Sequence, residues 1–353
     1  MTKDELLQSI KNDDTISASA LESLDLSNMD LTGVRFENVE FIGVDFSSSK
    51  ILKTGFKNCS FKNCSFNSVN FEKLQWQKMT LYNCSFFGAN FKKASFNHID
   101  FSESDFQDAN LTQASFSQST LNSVHFEKTE CTKTNFTRSV MKGSAFLNCN
   151  LLSTVFFKTD MRDTKFVKTN LVKVVLMECS LREQNFENAT LNMVQFNSTD
   201  LSKTNFNGAN ISQTNFYKCI LESCTFKNVQ AKHTIFTETK LKLADMRGAY
   251  LFQTNFDKAE MLLTNFQDAS VEQSSFVESK CIETNFQKAN LKYTNFSHAI
   301  FDSVNLQGAN LSHALVHEIK LKNSDLNEAN RLGLRKTDPD LQEAEQYIYI
   351  KEI

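Results

Sequence analysis

The stretch that decides the fold covers residues 96–126 and reads FNHIDFSESDFQDANLTQASFSQSTLNSVHF. A large apolar residue occupies every fifth position of this stretch: Phe96, Phe101, Phe106, Leu111, Phe116, Leu121 and Phe126. The same register runs without an insertion from Leu21 to Leu326. The residue at each of these positions is called a centre, and every centre is apolar. A five-residue period is neither the 3.6 of an α-helix nor the 2 of a flat strand. The period therefore excludes both a helical bundle and an ordinary β-sandwich.

The residue two positions before each centre is usually Ala, Ser, Thr, Cys or Val. Residues two apart on a strand share one face, so the small residue and the centre both point inward. The remaining positions are mostly polar, and two of them are adjacent, which breaks strand alternation. The chain has 353 residues but only 9 Gly and 1 Pro, far below ordinary usage of about 7% and 5%. We therefore expect a coil that turns a corner every five residues and has few loops.

Large and smaller centres alternate from about residue 96, and nearly all of the 33 Phe stand at centre positions. Alternation every ten residues implies an even number of faces per coil, and four is the simplest closure around a filled interior. Twenty-residue spacing then predicts two stacked core columns on opposite faces. One column contains Phe46, Phe66, Phe86, Phe106 and Phe126, and the other contains Phe96, Phe116, Phe136 and Phe156.

Four units show the pattern A(D/N)LXX most closely: Ala109-Asn110-Leu111, Ala209-Asn210-Ile211, Ala289-Asn290-Leu291 and Ala309-Asn310-Leu311. In this pattern the chain resembles the pentapeptide-repeat family over roughly residues 19 to 329. The resemblance implies an all-β fold, a right-handed quadrilateral β-helix of about 15 coils. It also implies a repeat protein that needs caps at its two ends.

The sequence predicts three segments: an N-terminal cap over 1–18, the β-helix over 19–330, and a C-terminal cap or dimerisation segment over 331–353. Thr2 and Glu5 have the spacing of a helix capping box, and Asp338-Pro339 has the composition of a helix start. Residues 347–350 read Tyr-Ile-Tyr-Ile. We expect them to pack on the last coil or on a second copy, which makes a homodimer through residues 331–353 a hypothesis.

Motifs for chemistry are scarce. No Gly-rich phosphate loop and no GxSxG elbow is present. All nine Cys fall at inward positions and are interpreted as buried small hydrophobes. Cys64 and Cys84 are one coil apart, a spacing near disulfide distance. A metal site at Cys59, Cys64 and Cys84 is the weaker alternative. The sequence therefore predicts a non-enzyme with no catalytic, cofactor-binding or metal-binding residues.

All six His stand at outward positions. Glu278, His298 and Glu318 share one outward column near the C-terminus, with His317 beside them. This group could ligate a metal, but the favoured interpretation is an ordinary solvated surface.

Function is therefore expected on the outward faces, and one segment differs from the rest. Within residues 147–177 the outward positions carry an apolar belt, formed by Leu147, Leu152, Val155, Phe157, Val167, Val172, Val175 and Met177. Arg162 interrupts it. Contiguous exposed apolar patches usually mark interaction sites. A second, patchier set comprises Phe252, Leu262, Leu263, Val277 and Ile282.

Charge is distributed unevenly over the four faces, although the whole chain has a formal net charge of only −3. The face centred on residues 26, 46 and 66 carries more acids than bases. The face centred on 31, 51 and 71 is basic, with a basic patch at Lys50, Lys53, Lys73, Lys92 and Lys93. An anionic partner is one interpretation of this patch, and an ordinary solvated Lys-rich face is the other.

Two functions from different classes follow from these surfaces. The first is a protein-interaction rod, that is, a scaffold, adaptor or secreted effector whose partner is a protein. The second comes from the resemblance, because some pentapeptide-repeat proteins protect DNA gyrase from quinolones or peptide toxins by mimicking duplex DNA. Electrostatic mimicry needs a strongly acidic surface, and no acidic stripe of that strength is visible here, so the first is favoured.

The sequence also bears on nucleic-acid binding, membrane insertion and cellular location. Direct nucleic-acid binding is not expected, because the chain lacks a strong basic excess. No apolar run approaches the ~20 residues of a membrane span, and the first residues lack the pattern of a signal peptide. We expect a cytoplasmic protein, with secretion as an effector left open.

Overall fold

The structure, a computed structural model, describes residues 1–17 and 20–351, with side chains up to residue 346. The chain divides into two compact units, Met1–Ser180 and Leu181–Ile353, and each is described by itself. Both units are built from short parallel strands and bridges. The all-β, quadrilateral β-helical fold class expected from the sequence is confirmed.

Unit 1 begins with α1 (Lys3–Lys11) and continues with fifteen short strands. The strands are β1 (Thr15–Ile16), β2 (Ala20–Glu22), β3 (Arg35–Glu37), β4 (Glu40–Ile42), β5 (Gly55–Lys57), β6 (Ser60–Lys62), β7 (Gln75–Tyr82), β8 (Ser95–Asp100), β9 (Ser115–Ser117), β10 (His125–Glu127), β11 (Asn135–Thr137), β12 (Ala145–Leu147), β13 (Val155–Phe157), β14 (Lys165–Val167) and β15 (Val175–Met177). They form parallel sheets in the orders β1-β3-β5, β10-β12-β14 and β15-β13-β11-β9-β8-β7-β6-β4-β2.

Unit 2 contains β16 (Glu260–Leu262), β17 (Lys280–Ile282), β18 (Ile300–Asp302), β19 (Lys320–Lys322) and α2 (Pro339–Lys351). The four strands pair in parallel in chain order. Much of the remaining ladder consists of isolated parallel bridges, such as Asn185 with Asn205 and Asn290 with Asn310.

The register of the ladders shows how many faces one coil has. Every parallel pair joins residues twenty apart, as in Phe126 with Phe146 and Cys281 with Phe301. Twenty residues make four five-residue units, so each coil closes after four faces. The four-face closure expected from the alternation of large and small centres is therefore correct.

The corners of the coil are made mostly by residues other than glycine. The residue two places after each centre adopts a positive φ, for example Lys93 at φ 60° and Gln113 at φ 60°. The next backbone N–H often closes a tight turn onto the centre's carbonyl, as Ala94 N does onto Phe91 O at 2.9 Å. A non-glycine residue in this region costs about 1–2 kcal/mol. The inter-coil ladder must offset that cost at each such corner.

The core of unit 1 is built on the two predicted phenylalanine columns. In the first column the ring centroids of Phe46 and Phe66 lie 4.9 Å apart and the rings are nearly parallel. In the second column Phe136 lies 5.1 Å from Phe116 and 5.1 Å from Phe156. All members of both columns are fully buried. Burying a Phe side chain contributes roughly 1.5–3 kcal/mol, so the columns are a major source of stability.

Many inward-pointing hydroxyl and thiol groups are satisfied by a recurring contact, although Ser49 Oγ has no hydrogen-bond partner among the described residues. The small side chain two positions before a centre donates to the backbone carbonyl of the residue 23 places earlier. Examples are Thr134 Oγ1 to Leu111 O at 2.7 Å and Cys149 Sγ to Phe126 O at 2.9 Å. This contact explains how Ser, Thr and Cys can occupy a dry interior.

The two helices lie at opposite ends of the chain and have the predicted starts. Glu5 N donates to Thr2 Oγ1 at 3.3 Å and Thr2 N donates to Glu5 Oε2 at 2.7 Å, which completes the capping box. Asp338 Oδ1 accepts from Asp340 N at 3.0 Å and so caps the N-terminus of α2.

The domain boundaries 1–18, 19–330 and 331–353 stay a proposal. The first of them falls at residues 18 and 19, outside the described residues. The predicted packing of side chains 347–350 likewise lies outside the described part of the chain. No helix among the described residues combines the length and apolar character needed to cross a bilayer.

Candidate interaction surface

The apolar belt lies entirely within unit 1, on the outward positions of its last coils. The parallel register places Leu147 beside Val167 across β12 and β14. Across β13 and β15 it places two further apolar pairs side by side, Val155 with Val175 and Phe157 with Met177. On a third face, Ser153 N donates to Val172 O at 3.3 Å, which sets Leu152 and Val172 on neighbouring coils. The eight belt residues therefore form short apolar ladders on three faces.

The belt is less exposed than outward positions alone suggest. Val167 is 47% exposed, whereas the other seven belt side chains are half-buried. Each outward side chain packs against its equivalents in the coils above and below, because coils are only about 4.8 Å apart. The accessible part of the belt is consequently a set of narrow apolar ridges rather than an open sheet.

Some of the charged side chains at the borders of the belt form ion pairs. The Arg162 guanidinium donates to Asp160, with Nη2 to Oδ2 at 2.7 Å. This hydrogen bond is the main reason that the pKa of the Asp160 carboxyl lies below its ordinary value. The Lys158 ammonium lies 5.1 Å from the centroid of the Phe157 ring and 3.3 Å from Glu178 Oε2. The apolar ridges are therefore edged by ion pairs.

A second apolar patch lies in unit 2 and only partly matches the second set expected from the sequence. Leu262 and Ile282 stand side by side across β16 and β17, and Leu263 N donates to Ile282 O at 3.0 Å. Leu243, which the sequence analysis missed, joins them through its N–H to Leu262 O at 2.9 Å. These four residues are named the Leu243 patch, in which Leu243 is 50%, Leu263 43% and Ile282 38% exposed.

The other two members of that set lie on different faces. Phe252 stacks instead with Tyr250, at 6.3 Å between centroids, and Val277 N donates to Asp257 Oδ1. In the sequence Leu243 stands beside Lys242 at the first outward position, so it does not look like part of an apolar patch.

The five lysines of the basic patch are all exposed in unit 1. Two have carboxylate neighbours: Lys50 Nζ lies 3.4 Å from Asp30 Oδ2 and Lys73 Nζ lies 3.8 Å from Glu72 Oε1. Lys53, Lys73 and Lys93 occupy one column of corners, at φ 62°, 60° and 60°. Each therefore also serves as a corner residue, a role that needs no partner.

The nine cysteines are free and buried, as the sequence predicts for small interior residues. A hydrogen bond between Cys64 and Cys84, together with burial, raises the pKa of the Cys84 thiol well above its ordinary value. The thiolate is the form that attacks disulfides and binds metals. The Cys84 thiol is therefore a core residue rather than a reactive group, whereas the same contact lowers the pKa of the Cys64 thiol.

The expected solvated surface around the C-terminal histidines is wrong for His317. Its side chain is only 1% exposed, because α2 folds back over it. Asp338 N donates to His317 Nδ1 at 3.1 Å, and His317 Nε2 lies 3.2 Å from Glu345 Oε2. His298 Nε2 lies 3.3 Å from the second carboxylate oxygen of Glu345. The hydrogen bond from His317 is the main reason that the pKa of Glu345 is lowered.

Comparison with known proteins gives matches to repeat families. The family model described as "Pentapeptide repeat region" matches residues 79–156 and 140–216. The model described as "Pentapeptide repeats (8 copies)" matches residues 17–51, 204–242 and 279–317. No curated protein matches the chain.

Similar solved structures include three repeat proteins. A pentapeptide repeat protein from the Arabidopsis thaliana thylakoid lumen is 28% identical, with a TM-score of 0.24. The match covers 24% of this chain and 59% of the Arabidopsis protein. QnrB1, described as a plasmid-mediated fluoroquinolone resistance protein, is 12% identical over 65% of this chain and 99% of its own, with a TM-score of 0.27. HetL from the cyanobacterium Nostoc sp., involved in heterocyst differentiation regulation, is 17% identical over 94% of each chain, with a TM-score of 0.14.

Proposed function

Because this chain belongs to the pentapeptide-repeat family, we propose that it is a non-enzymatic scaffold that binds a protein partner through its outward faces. The observation that carries this proposal is the apolar belt. Its three ladders place apolar side chains at positions that are polar in most other units. Burying such ridges at an interface removes apolar surface from water, which favours association.

The ion pairs at the edge of the belt support a specific contact. An interface usually combines an apolar centre with a polar rim. Here the ladder of Leu152 and Val172 occupies the middle of the three faces. The Lys158–Glu178 and Arg162–Asp160 pairs lie at the rim, beyond the ladder of Phe157 and Met177. A partner would therefore present apolar side chains to the ridges and polar groups to the paired charges.

The test replaces two belt residues without touching the core. The double variant Phe157→Glu with Val172→Lys adds charge on two faces while leaving the inward columns unchanged. The matched control, Ser117→Glu with Thr112→Lys, changes the same two columns of outward positions in earlier coils, where both residues are polar. We expect the belt variant to lose partner capture, at a melting temperature within a few degrees of wild type.

Two results would contradict the proposal. If the belt variant and the control both capture partners as the wild type does, the belt is only surface. If the belt variant unfolds while the control does not, the eight residues serve the stability of unit 1 instead.

Binding to DNA gyrase as a duplex-DNA mimic is the alternative. It is favoured by the acidic excess on the face centred on residues 26, 46 and 66. However, three carboxylates on that face already serve the fold, which counts against the alternative. Asp25, Asp45 and Asp105 each accept a hydrogen bond from the backbone N–H two residues later in their own turn. A gyrase supercoiling titration at low and moderate salt tests it. Inhibition below micromolar concentration would favour the mimic, and no effect at tens of micromolar would leave the scaffold.

The proposed location is the cytoplasm. The nine free, buried thiols support it, because disulfides form and persist in oxidising compartments. Fractionation of the source cells tests this location.

A further inference from the structure

We propose that His298, His317 and Glu345 form a binding site for a divalent transition-metal ion, with Zn²⁺ the best match, and that the ion fixes α2 to the coils of unit 2. The ligand atoms of the three side chains lie within 4.8 Å of one another. Two neutral imidazoles and one carboxylate form one of the ligand sets found at zinc sites that keep a fourth position for water.

The spacing of the ligand atoms fits a small tetrahedral ion. Ligands about 2.0–2.1 Å from Zn²⁺ stand about 3.3–3.4 Å from one another when the geometry is tetrahedral. The His298 Nε2 to Glu345 Oε1 distance is 3.3 Å and the His317 Nε2 to Glu345 Oε2 distance is 3.2 Å. The two distances run to different oxygens of Glu345, and the three ligand atoms lie within 4.8 Å of one another. Rotation of the Glu345 carboxylate together with adjustment of the two imidazoles would therefore place all three ligands around one ion.

The surroundings favour a cation and leave room for a fourth ligand. A cavity of about 470 Å³ is lined by Glu278, His298, Glu318, Lys320 and Glu345. Three of these five side chains are carboxylates, against one lysine. Glu318 is held in place by Gln342, whose Nε2 donates to Glu318 Oε1 at 2.5 Å. A water molecule held by Glu318 would complete the coordination.

One contact must change when the ion binds. Asp338 N donates to His317 Nδ1, so in its neutral form His317 carries its proton on Nε2. Metal ligation through Nε2 requires the proton on Nδ1 instead. Binding must therefore break the Asp338 contact, and it should shift the first turn of α2 while it draws Glu345 inward.

The site joins parts of the chain that are distant in sequence. His298 is 47 residues and His317 28 residues from Glu345. A ligand that binds only the folded state stabilises it by an amount that grows with its concentration. Zn²⁺ should therefore raise the stability of unit 2 and protect α2 from proteolysis.

The experiment uses the full chain after treatment with EDTA and measures Zn²⁺ binding by calorimetry, with melting temperature as a second readout. We expect one ion per chain and a raised melting temperature. His298→Ala should weaken binding by about 100-fold, since even the loss of an outer-shell partner costs 10–100-fold. His233→Ala, which removes an exposed histidine elsewhere in unit 2, should bind as the wild type does.

Two further measurements keep the proposal falsifiable if His298→Ala destabilises the protein. Co²⁺ added to wild type should give the visible absorption of a four-coordinate ion, and Glu345→Gln, which keeps hydrogen-bonding capacity, should abolish it. The Asp338 amide resonance should shift on adding Zn²⁺. Absence of stoichiometric binding, or equal binding by His298→Ala and wild type, would overturn the proposal and leave a metal-free hydrogen-bonded contact.

Discussion

At the residue scale, two positions in each five-residue unit have the strictest requirements. The centre must fill its place in a stacked column, as Phe136 does between two rings 5.1 Å away. The corner residue must accept a positive φ, as Gln113 does. The sequence reveals the first requirement directly, because an apolar period is visible in the letters. It conceals the second, because Lys, Gln, Asn, Ser and Glu all stand at corners and share no obvious property.

Phe136→Asp should unfold unit 1 locally. The side chain is fully buried, and an unpaired carboxylate there has no partner to offset its desolvation. We expect a loss greater than about 4 kcal/mol, since even Phe→Ala costs about 3–5 kcal/mol in a core. Calorimetric melting measures it, with Phe136→Leu as the control. Wild-type melting of the aspartate variant would refute the register.

Gln113→Val should destabilise unit 1 by on the order of 1 kcal/mol, because a β-branched residue tolerates φ 60° less well than the unbranched Gln does. Gln113→Gly should be neutral or slightly stabilising, since glycine adopts this conformation freely but loses more conformational freedom on folding. Thr112→Val, one residue earlier, is the matched control and should cost less than the corner variant. Urea unfolding curves compare the three, and equal losses at 112 and 113 would show that the corner is not strained.

At the element scale, strands only two to eight residues long are held by their neighbours one coil away. Charged pairs reinforce some of the turns between them. Asp160 receives two hydrogen bonds from the Arg162 guanidinium, at 3.0 and 2.7 Å, and Lys142 Nζ lies 3.5 Å away. These contacts stabilise the ionised form, so they link the stability of the turn to pH.

Asp160→Asn should reduce the pH dependence of unfolding. The pKa of Asp160 is lowered in the folded state, so its contribution is present above the ordinary value of about 3.8 and disappears as pH falls through the folded value. The wild type should therefore lose more stability than the variant between pH 6 and pH 3. Chemical denaturation at each pH gives the comparison, and parallel curves would show that the pair contributes nothing.

The two helices outside the repeat differ in how much of their structure the sequence predicts. The start of α1 was predictable, because Thr2 and Glu5 lie three residues apart and their contact is local. The burial of His317 was not predictable, because it depends on α2 folding back so that Glu345 reaches a residue 28 positions earlier. The periodic pattern ends before α2 and carries no information about where that helix packs. The belt lies between these cases: its outward direction was predictable, but its partial burial by neighbouring coils was not.

At the scale of the whole molecule, the C-terminal end of unit 2 bears on self-association. Leu321 stands at a centre position but is 49% exposed, and Leu332 is 70% exposed. One coil earlier, the equivalent of Leu321 is Phe301 at 2% exposed, and the equivalent of Leu332, at an outward position, is Ser312 at 5%. The last coil thus presents apolar side chains that no later coil covers. This supports the hypothesis of a homodimer through residues 331–353.

Leu321→Lys with Leu332→Lys should convert a dimer to a monomer, because two charges would replace the apolar surface at that end. Leu52→Lys is the control, since Leu52 is 57% exposed on a side face of unit 1 and should leave the mass unchanged. Light scattering after size exclusion measures the mass. A wild type that is monomeric at high concentration, or a double variant that stays dimeric, would refute the hypothesis.

The twenty-residue register has a consequence for how such a gene can change length. Removing residues 201–220 would stack Phe226 directly on Phe186 and Phe236 directly on Phe196, within the columns they already share, so every aromatic ring would still meet another. Removing only 201–205 would rotate all later side chains by a quarter turn and set leucines against phenylalanines. Insertions and deletions of one full turn should therefore be tolerated far more readily than shorter ones. The protein can lengthen or shorten by recombination without redesign of its interior.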